Sequence, residues 1–275
     1  MTLDKDNNKQ YINLACGDVY IKDNAKWKNF DFIGGNNIIK VNLLSLLPIN
    51  NSQADLVYCS HFIEHIPKRD VVSFLKECFR ILKKNGVLRL VLPDFRIMAQ
   101  EYLFQRENKN NQKAVFMITS IIDQFIRTTP GGELQRTIDK IEASKNEDLI
   151  NFIYERTGYK NNQKKFEKKN LLSIFLIFHK LKSYLYKRYC KIVVSLLPRA
   201  FKNQNVSFAE IGEKHAWLYD EFSLEELLNT VGFKNIKVMT CNTSLFSDFP
   251  FKELDVNSDG VPRKGKDSIY IEALK

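Results

Sequence analysis

A short β-type run, Tyr11-Ile12-Asn13-Leu14, gives way at once to small residues and an acid, Ala15-Cys16-Gly17-Asp18. A second run, Trp27 to Phe32, carries Asp31 fourteen residues past Gly17. A strand, a tight turn of small side chains and an acid at the end of the next strand is how an α/β sheet holds a nucleoside. The small residues let backbone N–H groups come close to a ligand, and the acid accepts hydrogen bonds from both ribose hydroxyls. With a single glycine in the turn, a plain turn after a buried strand fits these residues as well.

The following residues narrow the choice. Asp55 to Cys59 reads as a buried strand ending in Ser60-His61-Phe62-Ile63-Glu64-His65. From Lys68 to Leu82 the apolar positions Val71, Val72, Leu75, Cys78, Phe79 and Leu82 have helical spacing. Lys83-Lys84-Asn85-Gly86 is expected to close that helix, with cations at its negative end and a glycine stop. Val87 to Leu92 is another apolar run, ending at Pro93-Asp94. Strand, strand, strand, helix, strand with short links predicts a mostly parallel sheet covered on both faces.

On these residues the chain resembles the class I S-adenosylmethionine (SAM) methyltransferases, in particular their type 11 branch. The resemblance is carried by Asn13-Leu-Ala-Cys-Gly17, Asp31, Val41-Asn42-Leu43, Leu47-Pro48, Asp55-Leu-Val-Tyr and His61-Phe-Ile-Glu-His65. Further along it rests on Leu75 to Leu82, Gly86 to Asp94 and Ser268 to Ala273. It implies a Rossmann-like, doubly wound α/β fold: a mostly parallel seven-stranded sheet with an antiparallel last strand, plus a helical insertion. Residues 1–105 and 205–275 would form the methyltransferase fold, and 106–204 an insertion or lid over the acceptor pocket. SAM is the implied cofactor, with Leu14, Ala15, Cys16, Gly17, Asp31, Phe32, Asn42, Leu43 and Ser60 around it. Two positions depart from the pattern. Ala15 stands where glycine is common, and Asn42 where aspartate often accepts from the adenine amine; an amide oxygen accepts without charge assistance.

The acceptor side must hold a nucleophile within near-attack distance of the methyl group and exclude water. For a hydroxyl acceptor a general base helps, and His61, just past the carboxyl end of the strand Leu56 to Cys59, is the candidate. A histidine packed against the cofactor without taking a proton is the alternative role. Asp94, at the end of the next strand, is expected to orient His61 or bind acceptor. His215, with Trp217, Tyr219 and Asp220, is expected to close the pocket from the other side. Glu64 reads as structural, and His179 as a surface or packing residue.

His61-x-x-Glu64-His65 also matches the H-x-x-E-H signature of a zinc peptidase family. Two histidines four apart on a helix can share a metal, with the glutamate as general base. Pro67 leaves little helix to present both rings, and no third ligand is identifiable from sequence. No metal is therefore expected.

Charge is concentrated in one place. Residues 160–202 hold twelve Lys or Arg against the single acid Glu167, so this segment carries +11 and the other 232 residues together −1. Within it, Leu171, Ile174, Phe175, Phe178, Leu185, Tyr189, Ile192, Val193 and Leu196 project to one side of a helix; Lys180, Lys187 and Lys191 project to the other, and Lys182 breaks the pattern. The longest stretch between charges, Asn170 to His179, is ten residues, short of the ~20 that a spanning helix needs. A basic amphipathic segment over 171–197 suits an anionic membrane surface, or alternatively packs on the domain or a second subunit. Nucleic acid is not the expected partner, because the aromatics sit among aliphatics rather than free to stack.

The remaining regions add detail. Phe95 to Arg106, Gln112 to Arg127 and Glu133 to Glu155 read as helices, with Pro130-Gly131-Gly132 as a break and Lys160 to Asn170 as a link. Ser223-Leu-Glu-Glu226 reads as a capping box for a helix stopped by Gly232. Lys234 to Cys241 and Ser268 to Leu274 read as the last two strands. The acids Asp248, Glu253, Asp255 and Asp259 between them miss calcium-loop spacing and are expected to be solvated. Five cysteines without C-x-x-C pairing suit a reducing compartment, and the polar Met1 to Gln10 has no signal-peptide core, so a cytoplasmic location is expected.

These readings converge on a SAM-dependent methyltransferase. By resemblance to enzymes of surface-polysaccharide pathways, its expected acceptor is a saccharide or lipid-linked glycan, methylated on oxygen, at the inner face of the membrane. The alternatives are an RNA or small-molecule methyltransferase, and a non-catalytic scaffold with a degenerate SAM fold.

Overall fold

The computed structural model describes residues 9–22, 24–158, 185–186, 188–190, 192–209 and 212–275. Their centre is a seven-stranded sheet of β1 (Tyr11–Leu14), β2 (Trp27–Asp31), β3 (Ile38–Lys40), β4 (Ala54–Ser60), β5 (Leu82–Pro93), β6 (Lys234–Met239) and β7 (Ser268–Leu274). The spatial order is β3-β2-β1-β4-β5-β7-β6. β1 to β5 are parallel, and β7 runs antiparallel between β5 and β6. Strand order reverses beside β1, so the carboxyl ends of β1 and β4 flank the crevice where open α/β sheets place their ligands. This is the expected Rossmann-like arrangement, doubly wound with an antiparallel last strand. The expected terminal hairpin is present, but only β6 is the edge; β7 is interior. β3, three residues long, is too short for sequence periodicity to reveal.

Alternation along the strands sorts side chains onto two faces. Ile12, Leu14, Val57, Cys59, Leu88, Leu90, Ile269 and Ile271 belong to one core. Helices α1 (Lys68–Ile81) and α6 (Glu221–Val231) cover it through Phe74, Leu75, Cys78, Leu224 and Leu228. Tyr11, Leu56, Tyr58, Val91 and Tyr270 belong to the other, which Phe249, Leu254 and Val256 of the β6–β7 connection cover. No helix separates β1, β2, β3 and β4 among the described residues, apart from their short turns. The sheet is thus covered on both faces as expected, but by helices on one and largely by a connection on the other.

Of the acids in that connection, Asp248, Glu253 and Asp259 are exposed as expected, and Asp255 is the exception. Asp255 is only 1% exposed and pairs with the fully buried Arg89 of β5. Tyr58 donates to the other carboxylate oxygen at 2.7 Å. Asp259 accepts from Tyr154, and Asp248 faces Lys9 at 3.5 Å.

Two helix boundaries also shift. α1 ends at Ile81, and the chain passes directly into β5 with Leu82 extended. Asn85, not Gly86, takes the left-handed conformation (φ 63°). Gly86 serves close approach: a Cβ there would lie 2.9 Å from the Lys83 carbonyl oxygen and 3.0 Å from that of Ala54. The capping box of α6 is Asp220 with Ser223, three residues ahead of the pair expected from Ser223 and Glu226.

α2 (Phe95–Glu107), α3 (Asn111–Ile126), α4 (Gly132–Ser144) and α5 (Glu147–Thr157) form a helical unit with its own core of Met98, Phe116, Met117, Ile138 and Ile153. The single helix expected over Glu133 to Glu155 is two, divided where Lys145 turns left-handed and Asn146 caps α5. The link 160–170 and most of the amphipathic segment, with Phe175, Phe178, His179, Lys180, Lys187 and Lys191, lie outside the described residues. The described positions of 185–195 are helical. Leu185, Tyr189, Ile192 and Leu196 there are each more than half exposed, at 56%, 64%, 55% and 80%.

Candidate active site

The turn after β1 is built by backbone strain that small residues tolerate. Ala15 and Gly17 both have positive φ, 53° and 50°. The turn is fastened to the end of β2 by Asp31, whose carboxylate accepts from the Gly17 amide and from the Ile33 amide, both at 2.9 Å. Asp31 therefore has a structural duty that sequence reading did not assign. A carboxylate offers about four acceptor positions, so both oxygens keep capacity for a ribose diol. Gly17, Asp18, Tyr20, Asp31, Ile33 and Ile38 line a cavity of about 690 Å³. That volume suits a small-molecule site, and the open space where a Gly17 side chain would stand leaves its backbone accessible.

The other cofactor candidates separate by burial. Leu14 and Leu43 are core residues at 0% and 4% exposure, so they support the site from beneath. Phe32 is exposed beside the acid, and Ser60 is half-buried at the end of β4. Asn42 is exposed past β3, and its amide oxygen accepts from the Leu44 amide at 3.1 Å. Cys16 is buried; burial and the neighbouring Asp31 charge push its thiol up to about 12.

At the carboxyl end of β4, His61 has a left-handed backbone (φ 51°), while its amide donates to Val91 of β5 at 2.7 Å. Such a conformation in a non-glycine residue is costly and clusters at functional sites. Nδ1 of His61 lies 3.2 Å from Oε1 of Glu64, and Nε2 lies 3.3 Å from Oγ of Ser268. Burial, then the nearby Lys264, hold the His61 imidazole below its ordinary pKa and so keep it neutral at neutral pH. Burial pushes Glu64 up, but the imidazoles around it, His61 foremost, pull it below the usual carboxylate range.

Asp94 corrects an expectation. Its carboxylate caps α2, accepting from the amides of Arg96 and Ile97 at 2.8 and 3.2 Å, and burial raises its pKa. The groups facing His61 are Glu64 and Ser268 instead. Glu64, read from sequence as structural, is fully buried amid histidines. No signal in the sequence singled out Ser268 as a neighbour of His61, because 207 positions separate them.

His215 arrives beside His65, the two rings edge to face with centroids 4.9 Å apart. The Glu64 carbonyl accepts from the amides of Ala216 and Trp217 at 2.7 and 3.1 Å, and the His215 amide donates to Gln124 of α3 at 2.9 Å. These bonds bring the 214–217 segment against the turn Ile63–His65. Burial pushes His215 down to about 4. Trp217 lies under Lys68, whose Nζ is 4.2 Å from the ring centroid, and Tyr219 is buried beside Asp94.

Residues 8–90 match a methyltransferase-domain family. Over that stretch the chain is similar to a methyltransferase domain. Solved structures similar to the chain include a SAM-dependent methyltransferase from Archaeoglobus fulgidus, 11% identical, covering 98% of this chain and 87% of that one with a TM-score of 0.40. A SAM-dependent methyltransferase from Thermotoga maritima is 14% identical, covering 97% of this chain and 81% of that one at 0.38. An S-adenosylmethionine-dependent methyltransferase from Clostridium acetobutylicum is 21% identical, covering 34% and 46% at 0.28. None of the curated proteins matches the chain. The β1 turn with Asp31 and its cavity fits the nucleoside of S-adenosylmethionine, the cofactor expected from the sequence.

Proposed function

We propose that this chain is a SAM-dependent methyltransferase that O-methylates a hydroxyl of a saccharide or lipid-linked glycan in cell-surface polysaccharide biosynthesis, working on the cytoplasmic side of a membrane. The observation that carries the reading is the strained His61 between Glu64 and Ser268 at the carboxyl end of β4. SAM, when bound, supplies a methyl group on a sulfonium and therefore the electrophile. The protein has to place the acceptor oxygen and receive its proton.

His61 suits that proton transfer. With Nδ1 toward Glu64 carrying the imidazole proton, Nε2 is left as the acceptor. Ser268 sits on Nε2 but has another partner, the Lys264 carbonyl at 2.9 Å. An incoming alcohol can therefore displace the serine hydroxyl without leaving it unpaired. The Glu64 charge favours the imidazolium that results, and burial of the site strengthens that attraction.

The exposed apolar side chains at 185–196, within the sequence's most basic stretch, support a peripheral membrane position and hence a lipid-linked acceptor. Among the described residues no helix is long and apolar enough to cross a membrane. The test is transfer of labelled methyl from SAM to candidate acceptors: nucleotide sugars, polyprenyl-linked saccharides, RNA and small amines. Label in an ether on a saccharide, reduced ~10²–10⁴-fold by His61→Gln with SAM affinity retained, is the expected result. Label confined to RNA or amines would overturn the glycan reading.

A further inference from the structure

Glu64, His65 and His215 each offer a ligand atom within 4.8 Å of the other two. The three come from two distant segments, brought together by the backbone bonds between Glu64 and residues 216 and 217. Glu64 and His215 are buried, at 0% and 8% exposure. We infer that these three side chains form a mononuclear site for a divalent first-row transition ion of the zinc class.

Two observations point to a cation. The first is the tautomer of His65. Its Nδ1 lies 2.8 Å from the carbonyl oxygen of Lys214, which can only accept, so Nδ1 carries the proton. A neutral ring then presents a lone pair at Nε2. That atom faces Oε1 of Glu64 at 3.9 Å, so two acceptors confront one another. An ion bound to both resolves the repulsion. A carbonyl on the far nitrogen is also the usual outer partner of a metal-bound histidine.

The second is Glu64 itself. Its Oε2 has no hydrogen-bond partner among the described residues, although the side chain is fully buried. The other oxygen, Oε1, has His61 Nδ1 at 3.2 Å. Buried polar groups are almost always satisfied, and an exception calls for a specific cause such as a bound ion.

The donor set selects the ion class. Two imidazoles and one carboxylate suit zinc, cobalt, manganese or iron; calcium and magnesium require more oxygen ligands. Metal–ligand distances of ~2.0–2.2 Å place tetrahedral donors roughly 3.3–3.5 Å apart, so the three side chains must close by about 1 Å. Sequence reading paired His61 with His65 and found no third ligand. The fold instead pairs His65 with His215, makes Glu64 a ligand, and leaves His61 outside the triad.

The test is metal binding to the untagged, chelator-stripped full chain, which needs no acceptor and no methyl transfer. Zinc chloride should bind at one equivalent per chain by calorimetry, and cobalt(II) chloride should give visible absorption bands of low-symmetry coordination. His65→Gln and His215→Gln should each weaken zinc affinity at least tenfold, in the range of ~10–100-fold or more. Circular dichroism and SAM titration of the stripped variants establish that they remain folded. Binding of less than a tenth of an equivalent to the wild-type chain at micromolar zinc would overturn the site. So would stoichiometric binding that survives in both folded variants, or occupation by magnesium alone.

Discussion

Arg89 in the middle of β5 and Asp255 in the β6–β7 connection form a fully buried ion pair, Nη2 to Oδ2 at 2.7 Å. The guanidinium also pairs with Glu272 of β7 at 2.7 Å and donates to the carbonyls of Thr240 and Thr243 at 2.9 and 3.0 Å. Phe249 stacks over it, with its centroid 4.5 Å from the guanidinium carbon. One arginine thus ties the connection that covers the second face of the sheet to two adjacent strands. Glu272 reinforces this tie by accepting from the Ser244 hydroxyl at 2.6 Å.

Removing one partner from such a cluster leaves an uncompensated buried charge. Arg89→Met should therefore destabilise the fold by ~3–5 kcal/mol, read as a lower urea midpoint. Adding Asp255→Asn and Glu272→Gln to it should recover part of the loss, because the stranded carboxylates are removed. A single variant within 1 kcal/mol of wild type would show that the arginine does not hold the connection.

Asp31 fastens the β1 turn and lines the cavity beside it, where the proposed function places SAM. Asp31→Ala should weaken SAM binding at least tenfold, since each charge-assisted hydrogen bond contributes ~1.5–3 kcal/mol. Calorimetric titration measures this directly. Unchanged affinity would place the ribose elsewhere.

Cys16 lies in the cofactor turn but should be chemically quiet. With its thiol pushed up to about 12, the thiolate fraction at pH 8 is on the order of 10⁻⁴. Brief treatment of the native chain with iodoacetamide, followed by peptide mass spectrometry, should label Cys190, which is half-buried, ahead of Cys16, Cys59, Cys78 and Cys241. The Cys16 labelling rate should rise about tenfold per pH unit in step with the thiolate fraction, from this low starting level. Early labelling of Cys16 near neutrality would contradict its burial.

The basic segment makes a demand that vesicles can check. Lys180, Lys187 and Lys191 should each contribute ~1 kcal/mol toward an anionic bilayer. Changing all three to glutamate should reduce co-sedimentation with acidic vesicles by on the order of a hundredfold or more. Wild-type protein that stays in the supernatant at low salt would end the membrane reading and leave a subunit contact or lid.

The sequence by itself determined most of the sheet and the turn that follows its first strand. Strands Tyr11–Leu14 and Ala54–Ser60 and helix Lys68–Ile81 follow from apolar periodicity, which is local. Gly17 and Asp31 are legible for the same reason: they lie fourteen positions apart, in the turn after β1 and at the end of the adjoining β2, so a short-range pattern contains both. Only the tertiary structure decided the rest. Asp255 looks solvated within its polar loop, and its burial depends on Arg89, 166 positions away. His61 meets Ser268, and Glu64 and His65 meet His215, because the chain returns over the carboxyl end of the sheet after the helical unit. Side-chain chemistry near in sequence is fixed by backbone geometry. The chemistry of this histidine cluster is fixed by which loops the core allows to close on one another.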